Sequence, residues 1–256
     1  MSTYEVVSKE LHKNLRWNPT NNFAFAANEA MCPLVTLEVP KAALHIPIVF
    51  SRSNNGFGLF ALQSLEAGNN YFVDSTGSWL AGYIPAAYRG YPFALNHLEE
   101  NKKALCVDSS SASLSTTEGH PFFDSEGEPS PSINDILNFL IHVFENHVVT
   151  HSICNLLNEL DLYESWPITV KKGEQDVLVE GIFRINEVKF NSLDSNQLTR
   201  LRDAGALPLI YCQLLSMQNL EVLIDSAAKS QSNPPSVKDL QFGLSGDEGN
   251  INFDGV

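Results

Sequence analysis

Arg89 is the sole fixed positive charge between Ser53 and Asn101, and it stands in a stretch crowded with Trp79, Tyr83, Tyr88 and Tyr91. A guanidinium among flat rings with polar tips suits a planar carboxylate or phosphate, or stacking on a ligand ring. The same residues admit an architectural use, in which Arg89 bonds carbonyls of its own loop. Four carboxylates elsewhere, Asp74, Asp108, Asp124 and Glu187, would supply a general acid and base if the fold gathered them, because carboxyl groups in unequal environments split their pKa values. The expected ligand-binding set is therefore Trp79, Tyr83, Tyr88, Arg89, Tyr91, Asp74, Asp108, Asp124 and Glu187. No catalytic residue is assigned within it.

Motifs that would fix a reaction are missing. The chain has no G-x-S-x-G elbow, no phosphate-binding P-loop and no full dinucleotide fingerprint, Gly56-Phe-Gly58 being too short. His147 and His151 share a helical face, but the glutamate of H-E-x-x-H is lacking and no third ligand is evident, so no metal is assigned. The string 250–255 imitates the first half of a calcium loop without its closing glutamate. No cofactor follows from any of these patterns. Cys32, Cys106, Cys154 and Cys212 lie far apart in apolar contexts and read as reduced core residues.

A net charge of −14 and a pI near 4.8 oppose nucleic-acid binding. No apolar run approaches the roughly 20 residues of a membrane span. The opening MSTYEVVSKELHKNLRW has no apolar core behind a basic flank, so the expected compartment is the cytoplasm, with signal-independent export as the alternative. The expected partner is a small-molecule or peptide ligand, with a protein partner or a surface layer as a further option.

The elements that must position these residues read as α+β, a β-rich N-terminal half packed against a mixed helix and strand C-terminal half. Residues 1–32 are polar, with apolar positions too scattered to fix an element. A single domain of two lobes, about 33–131 and 132–228, follows, and then a mobile acidic tail over 229–256. In the first lobe, strands are expected over residues 34–39, 46–50 and 59–62, with Pro47 marking an edge strand or a strand start. Residues 71–83 read as a hairpin turning at Asp74-Ser75-Thr76-Gly77, and Phe123-Asp124-Ser125-Glu126-Gly127 repeats that chemistry. Residues 98–103 read as a polar connection leading to a strand at 104–107.

In the second lobe, apolar residues recur at three and four from Ile133 to Leu160, which predicts one amphipathic helix or a pair broken near Val149-Thr150. Strands are expected at 168–170 and 177–185, with Arg184 and Glu187 as a possible ion couple. A helix is expected over 196–204 with Gly205 as its C′ residue. Residues 207–214 read as a buried strand and 217–227 as a final helix.

The strings PIVF, GSWLAGYIPAAYRGYPFAL, CVD, PFFDSEGEPSP and GALPLIYCQLLSMQNLEVL, spread from about residue 33 to 223, resemble the bacterial SapC family. The order of Trp79, Tyr83-Ile84-Pro85, Arg89 and Tyr91-Pro92-Phe93 is the distinctive part, and Glu187 resembles a characteristic glutamate of the family. The resemblance implies a chain of about this length, an association with bacterial surface layers, and a role in binding or assembly rather than a defined reaction. A second implication, from relatives that accompany halogenase-like flavoenzymes and outer-membrane receptors, is an enzyme or enzyme accessory using the clustered acids.

Overall fold

The computed structural model describes residues 4–53, 56–98, 102–172 and 175–230. The expected tail beyond Ser230, with its calcium-loop imitation, lies outside them. The first half of the chain forms β1 (Tyr4–Val6), α1 (Lys9–His12), β2 (Arg16–Trp17), β3 (Met31–Pro33), α2 (Val39–Ala42), β4 (Ile48–Ser53), β5 (Gly56–Leu62), α3 (Ala86–Arg89), β6 (Phe93–Leu98), β7 (Lys102–Asp108), β8 (Leu114–Ser115) and β9 (His120–Pro121). There follow α4 (Pro131–Glu159), β10 (Tyr163–Ser165), β11 (Ile168–Lys172), β12 (Gln175–Val179), β13 (Ile182–Ile185), α5 (Glu187–Asn191), α6 (Ser195–Asp203), α7 (Ala206–Ser216) and α8 (Leu220–Ser230). Every named strand pairs antiparallel, and with helices beside the sheets the class is α+β, as the sequence predicts.

The chain divides into two compact units. Of the described residues, the first joins those up to Asn21 to Ala87–Glu145, and the second joins Asn22–Ala86 to those from Asn146 to Ser230.

In the first unit, strands run in the order β1-β7-β6 in one sheet and β8-β2-β9 in another. Trp17, Phe93, Leu105, Val107, Phe122 and Ile133 are buried together, with Trp17 edge-on to Phe93 at 5.0 Å and Phe93 tilted on Phe122 at 5.6 Å. Ile136, Leu137 and Leu140 of α4 pack on this cluster. The opening residues, in which periodicity finds no element, thus contribute β1, α1 and β2. Their pieces are two to four residues long, too short for any period to register. The strand β6 is likewise unforeseen, and its hairpin with β7 draws in part of the expected polar connection, down to the pair Leu98↔Lys102.

In the second unit, the main sheet runs β10-β13-β4-β5-β3, and β11 and β12 make a separate ribbon. Pro47 sits immediately before β4, whose place between β13 and β5 makes it an inner strand, so the proline marks a strand start and not an edge. The strand expected over 34–39 is corrected. Pairing stops at Pro33, residues 36–38 close a 3₁₀ turn, and α2 follows with Pro40 in its first turn, where the missing N–H costs nothing.

The buried strand expected over 207–214 is also corrected. The run is the helix α7, begun after Gly205 takes φ +71°, with Leu209, Ile210, Gln213 and Ser216 buried at helical spacing. Gln213 reaches the sheet with both ends, accepting from Ile185 N–H at 3.0 Å and donating to Ile48 carbonyl at 3.1 Å, while Ser216 Oγ accepts from Ile48 N–H at 2.9 Å. Residues Ala206–Ser226, counted through the 3₁₀ turn joining α7 to α8, form a helical stretch of 21 residues with mean hydropathy 1.3. By length and composition alone that stretch passes for a membrane span, and 28% of it is buried within the chain.

α4 is one unbroken helix. Ser130 precedes it, its hydroxyl accepting from Ile133 N–H, and Pro131 opens the first turn. A single helix is the first of the two arrangements that the apolar repeat predicts; at Thr150 the buried hydroxyl donates back to Asn146 carbonyl at 2.7 Å within the helix.

Candidate ligand site

The expected site residues fall into both units. Asp74, Trp79, Tyr83 and Glu187 belong to the second, and Tyr88, Arg89, Tyr91, Asp108 and Asp124 to the first.

Asp74 and Asp124 organise the same loop twice. The Asp74 carboxylate accepts from the N–H groups of Thr76 at 2.8 Å and Ser78 at 2.9 Å, and the Asp124 carboxylate from those of Glu126 at 2.9 Å and Glu128 at 3.0 Å. Gly77 and Gly127 take φ of +83° and +85° at the matching position. Each loop is closed by one bridge, Val73↔Trp79 or Phe123↔Pro129, so the expected hairpin over 71–83 shrinks to a single rung. The Asp74 carboxyl is held below the usual range by the Thr76 hydroxyl first, then by the Ser78 and Thr76 N–H groups. Both aspartates are spent on turn chemistry.

Trp79 donates its indole N–H to Tyr83 carbonyl at 2.8 Å and packs on Phe23 and Phe72. Tyr83 in turn donates its hydroxyl to Glu38 at 2.8 Å. Glu38 is buried and also accepts from the N–H groups of Val35 at 2.9 Å and Ala86 at 2.7 Å. No motif marks this carboxylate in the sequence, although its place three residues after Val35 is the spacing of a capping side chain.

In the first unit Tyr88 is buried, and the exposed Arg89 lies over the Phe139 ring at 5.3 Å. Two expected site residues do meet there, since Tyr91 donates its hydroxyl to Asp108 at 3.2 Å. Asp108 is buried and also accepts from Ser110 N–H and hydroxyl, while burial pushes the Tyr91 phenol up. Arg184 is engaged by Glu164 at 2.7 Å rather than by Glu187, which opens α5 behind the Asn186 cap.

Two concavities form within single units. In the second unit, Glu187 lines one of about 440 Å³ with Phe190, Asn191, Tyr211, Leu214 and Leu215. In the first unit, one of about 540 Å³ has an apolar wall of Leu11, Leu15 and Leu114 and a polar one of Glu5, His12, Ser109, Ser115 and Thr116. None of the other eight expected site residues lines either of these two.

His12 sets the second of these apart. Only 2% of it is exposed, its ring stacks on Phe122 at 5.6 Å, and Nδ1 lies 3.2 Å from both the N–H and the carbonyl of Ser8. The Ser8 carbonyl already accepts from the His12 backbone N–H at 2.9 Å, whereas the Ser8 N–H makes no other bond among the described residues. The tautomer assigned on that ground has Nδ1 accepting from the Ser8 N–H and the proton on Nε2. Nε2 makes no hydrogen bond to any described residue, and neither does the Glu5 carboxylate. Unlike Trp17 Nε1, which is fully buried with no partner among the described residues, His12 Nε2 keeps some exposure, as an atom of a residue lining the concavity can. No motif flags His12 in the sequence; the one available signal is a helix-capping serine four residues before it.

Among the described residues, no three His, Cys, Asp or Glu side chains are grouped to hold a metal ion. None of the four cysteines is joined in a disulfide. Burial raises the Cys154 thiol to about 12 and also raises Cys106 and Cys212, of which Cys212 is the more exposed. A thiol-reactive dye on the native protein is expected to modify Cys212 first and the other three only on unfolding. Fast labelling of Cys32 or Cys154 in native buffer would contradict that order.

No curated protein and no solved structure matches the chain. The family model that does match is SapC, and it spans residues 7–223, from just after β1 to the first turn of α8. With most of its length matched in this way, the chain belongs to the SapC family.

Proposed function

We propose that this SapC protein is a non-catalytic binding protein for a small ligand, a sugar, a peptide or a modified amino acid, seated in the concavity that His12 lines. The observation that carries the reading is a histidine only 2% exposed, whose Nε2 has no hydrogen-bond partner among the described residues, in the wall of about 540 Å³ of open space with an apolar side. Binding is favoured over turnover because Asp74, Asp108 and Asp124 each spend their carboxylates on neighbouring N–H and hydroxyl groups. In this reading Trp79, Tyr83 and Tyr91 brace the scaffold, and the ligand is met in the cytoplasm.

The test is a thermal-shift screen of the purified chain against sugars, amino acids and short peptides, repeated on Leu11→Arg. Leu11 is 65% exposed and lines the concavity, so arginine there should block the site at a stability cost within about 0.5 kcal/mol. A ligand at about 100 times its Kd is expected to stabilise the parent by about 2.7 kcal/mol and the variant hardly at all. Equal stabilisation of both proteins, or none by any ligand, refutes the reading.

A further inference from the structure

Resting on that reading, we infer that the His12 concavity takes a neutral polyhydroxylated ring, a monosaccharide or the terminal sugar of a glycan. The wall presents the His12 ring with its Nε2 donor, one carboxylate acceptor at Glu5 with no partner among the described residues, and the Thr116 hydroxyl, while the Ser115 hydroxyl already accepts from the Thr117 and Glu118 N–H groups. A sugar hydroxyl both donates and accepts, so adjacent hydroxyls can give protons to Glu5 and take one from His12 in a single pose. The C–H face of a pyranose matches the apolar wall of Leu11, Leu15 and Leu114.

The competing chemistries fit less well. No Lys or Arg lines the concavity, so a carboxylate or phosphate would meet Glu5 with no countercharge, on a chain of net charge −14. An ammonium group would satisfy Glu5 but leave the His12 proton without an acceptor. A free amino acid or peptide terminus carries one of these two groups at each end.

Glu5 is the residue to change, because its carboxylate makes no bond to a described residue and its loss should leave the backbone pairing of β1 with β7 intact. The experiment titrates the full chain, its Glu5→Gln form and its Leu11→Arg form with glucose, galactose, mannose and N-acetylglucosamine, then with gluconate, glucose 6-phosphate, glucosamine and dialanine, reading saturation transfer and Kd. At least one neutral sugar is expected to bind, about tenfold more tightly than its acidic counterparts, with E5Q weakening it about tenfold and L11R abolishing it. Tighter binding of gluconate or the phosphate, improved further by E5Q, would overturn the sugar assignment and leave the ligand-binding reading standing. Binding of glucosamine or dialanine alone would do the same. A sugar whose affinity ignores both E5Q and L11R binds elsewhere and also overturns it. If no compound binds the parent chain, both the assignment and the reading beneath it fall.

Discussion

Replacing Gln213 with leucine is expected to lower the stability of the second unit by about 2–4 kcal/mol while keeping the side-chain volume nearly constant. The reason lies where β4 and β13 part. They pair at Ile182↔Ser51 and Phe183↔Phe50 and no further, which leaves Ile185 N–H and the Ile48 carbonyl and N–H without strand partners. Gln213, fully buried on α7, fills the gap by accepting from Ile185 and donating to Ile48, and Ser216 Oγ accepts from the Ile48 N–H. Leucine would leave one donor and one acceptor buried and unpaired, each costing about 1–3 kcal/mol. Ser216→Ala should cost less, about 1 kcal/mol, because one N–H loses a neutral acceptor. Urea unfolding followed by far-UV circular dichroism measures both, and a Gln213→Leu protein within about 0.5 kcal/mol of the parent would mean that water or backbone movement takes over these bonds.

That arrangement also shows why α7 was not legible. An eight-residue apolar run satisfies a buried strand and a buried helix equally, and only the partners of its polar residues decide. Gln213 and Ser216 find those partners on Ile48 and Ile185, which no sequence window connects. The turns were legible because their chemistry is local. Asp74 and Asp124 bond N–H groups two and four residues on, Gly77 and Gly127 supply positive φ, and Gly205 ends α6 as its position predicts. The amphipathic repeat of α4 was legible for the same reason, although apolar positions at three and four fit one helix and two in succession alike. The candidate site was the least legible part. His12 carries no motif, and its meaning arises only when Phe122, more than a hundred residues away, covers one face of its ring. The aromatic segment carries the stronger sequence signal, yet rings with polar tips serve a scaffold as well as a ligand.

Glu38→Ala is the largest single loss expected, about 3–5 kcal/mol, or a fall of about 10 °C in the midpoint of thermal unfolding. One carboxylate oxygen accepts from Val35 N–H at 2.9 Å, and the other from Tyr83 hydroxyl at 2.8 Å and Ala86 N–H at 2.7 Å. The three donors come from the turn before α2 and from the chain approaching α3, so a single side chain ties together segments about fifty residues apart. Alanine would leave three buried or half-buried donors facing a hole, whereas Glu38→Gln keeps one acceptor oxygen and should cost about half as much. Tyr83→Phe removes one donor and is expected to cost about 1 kcal/mol, and combining it with Glu38→Gln should cost less than the sum, because the two changes cut the same bond. Strict additivity would mean that Tyr83 and Glu38 act independently. The coupling also bears on function. Trp79 leans on the Tyr83 carbonyl through its indole N–H, so a measurable coupling would tie both rings to the folding of their own unit. Ligand affinity at the His12 concavity should then survive Tyr83→Phe unchanged, and a Tyr83→Phe protein that folds but loses affinity would return the aromatic segment to the binding site.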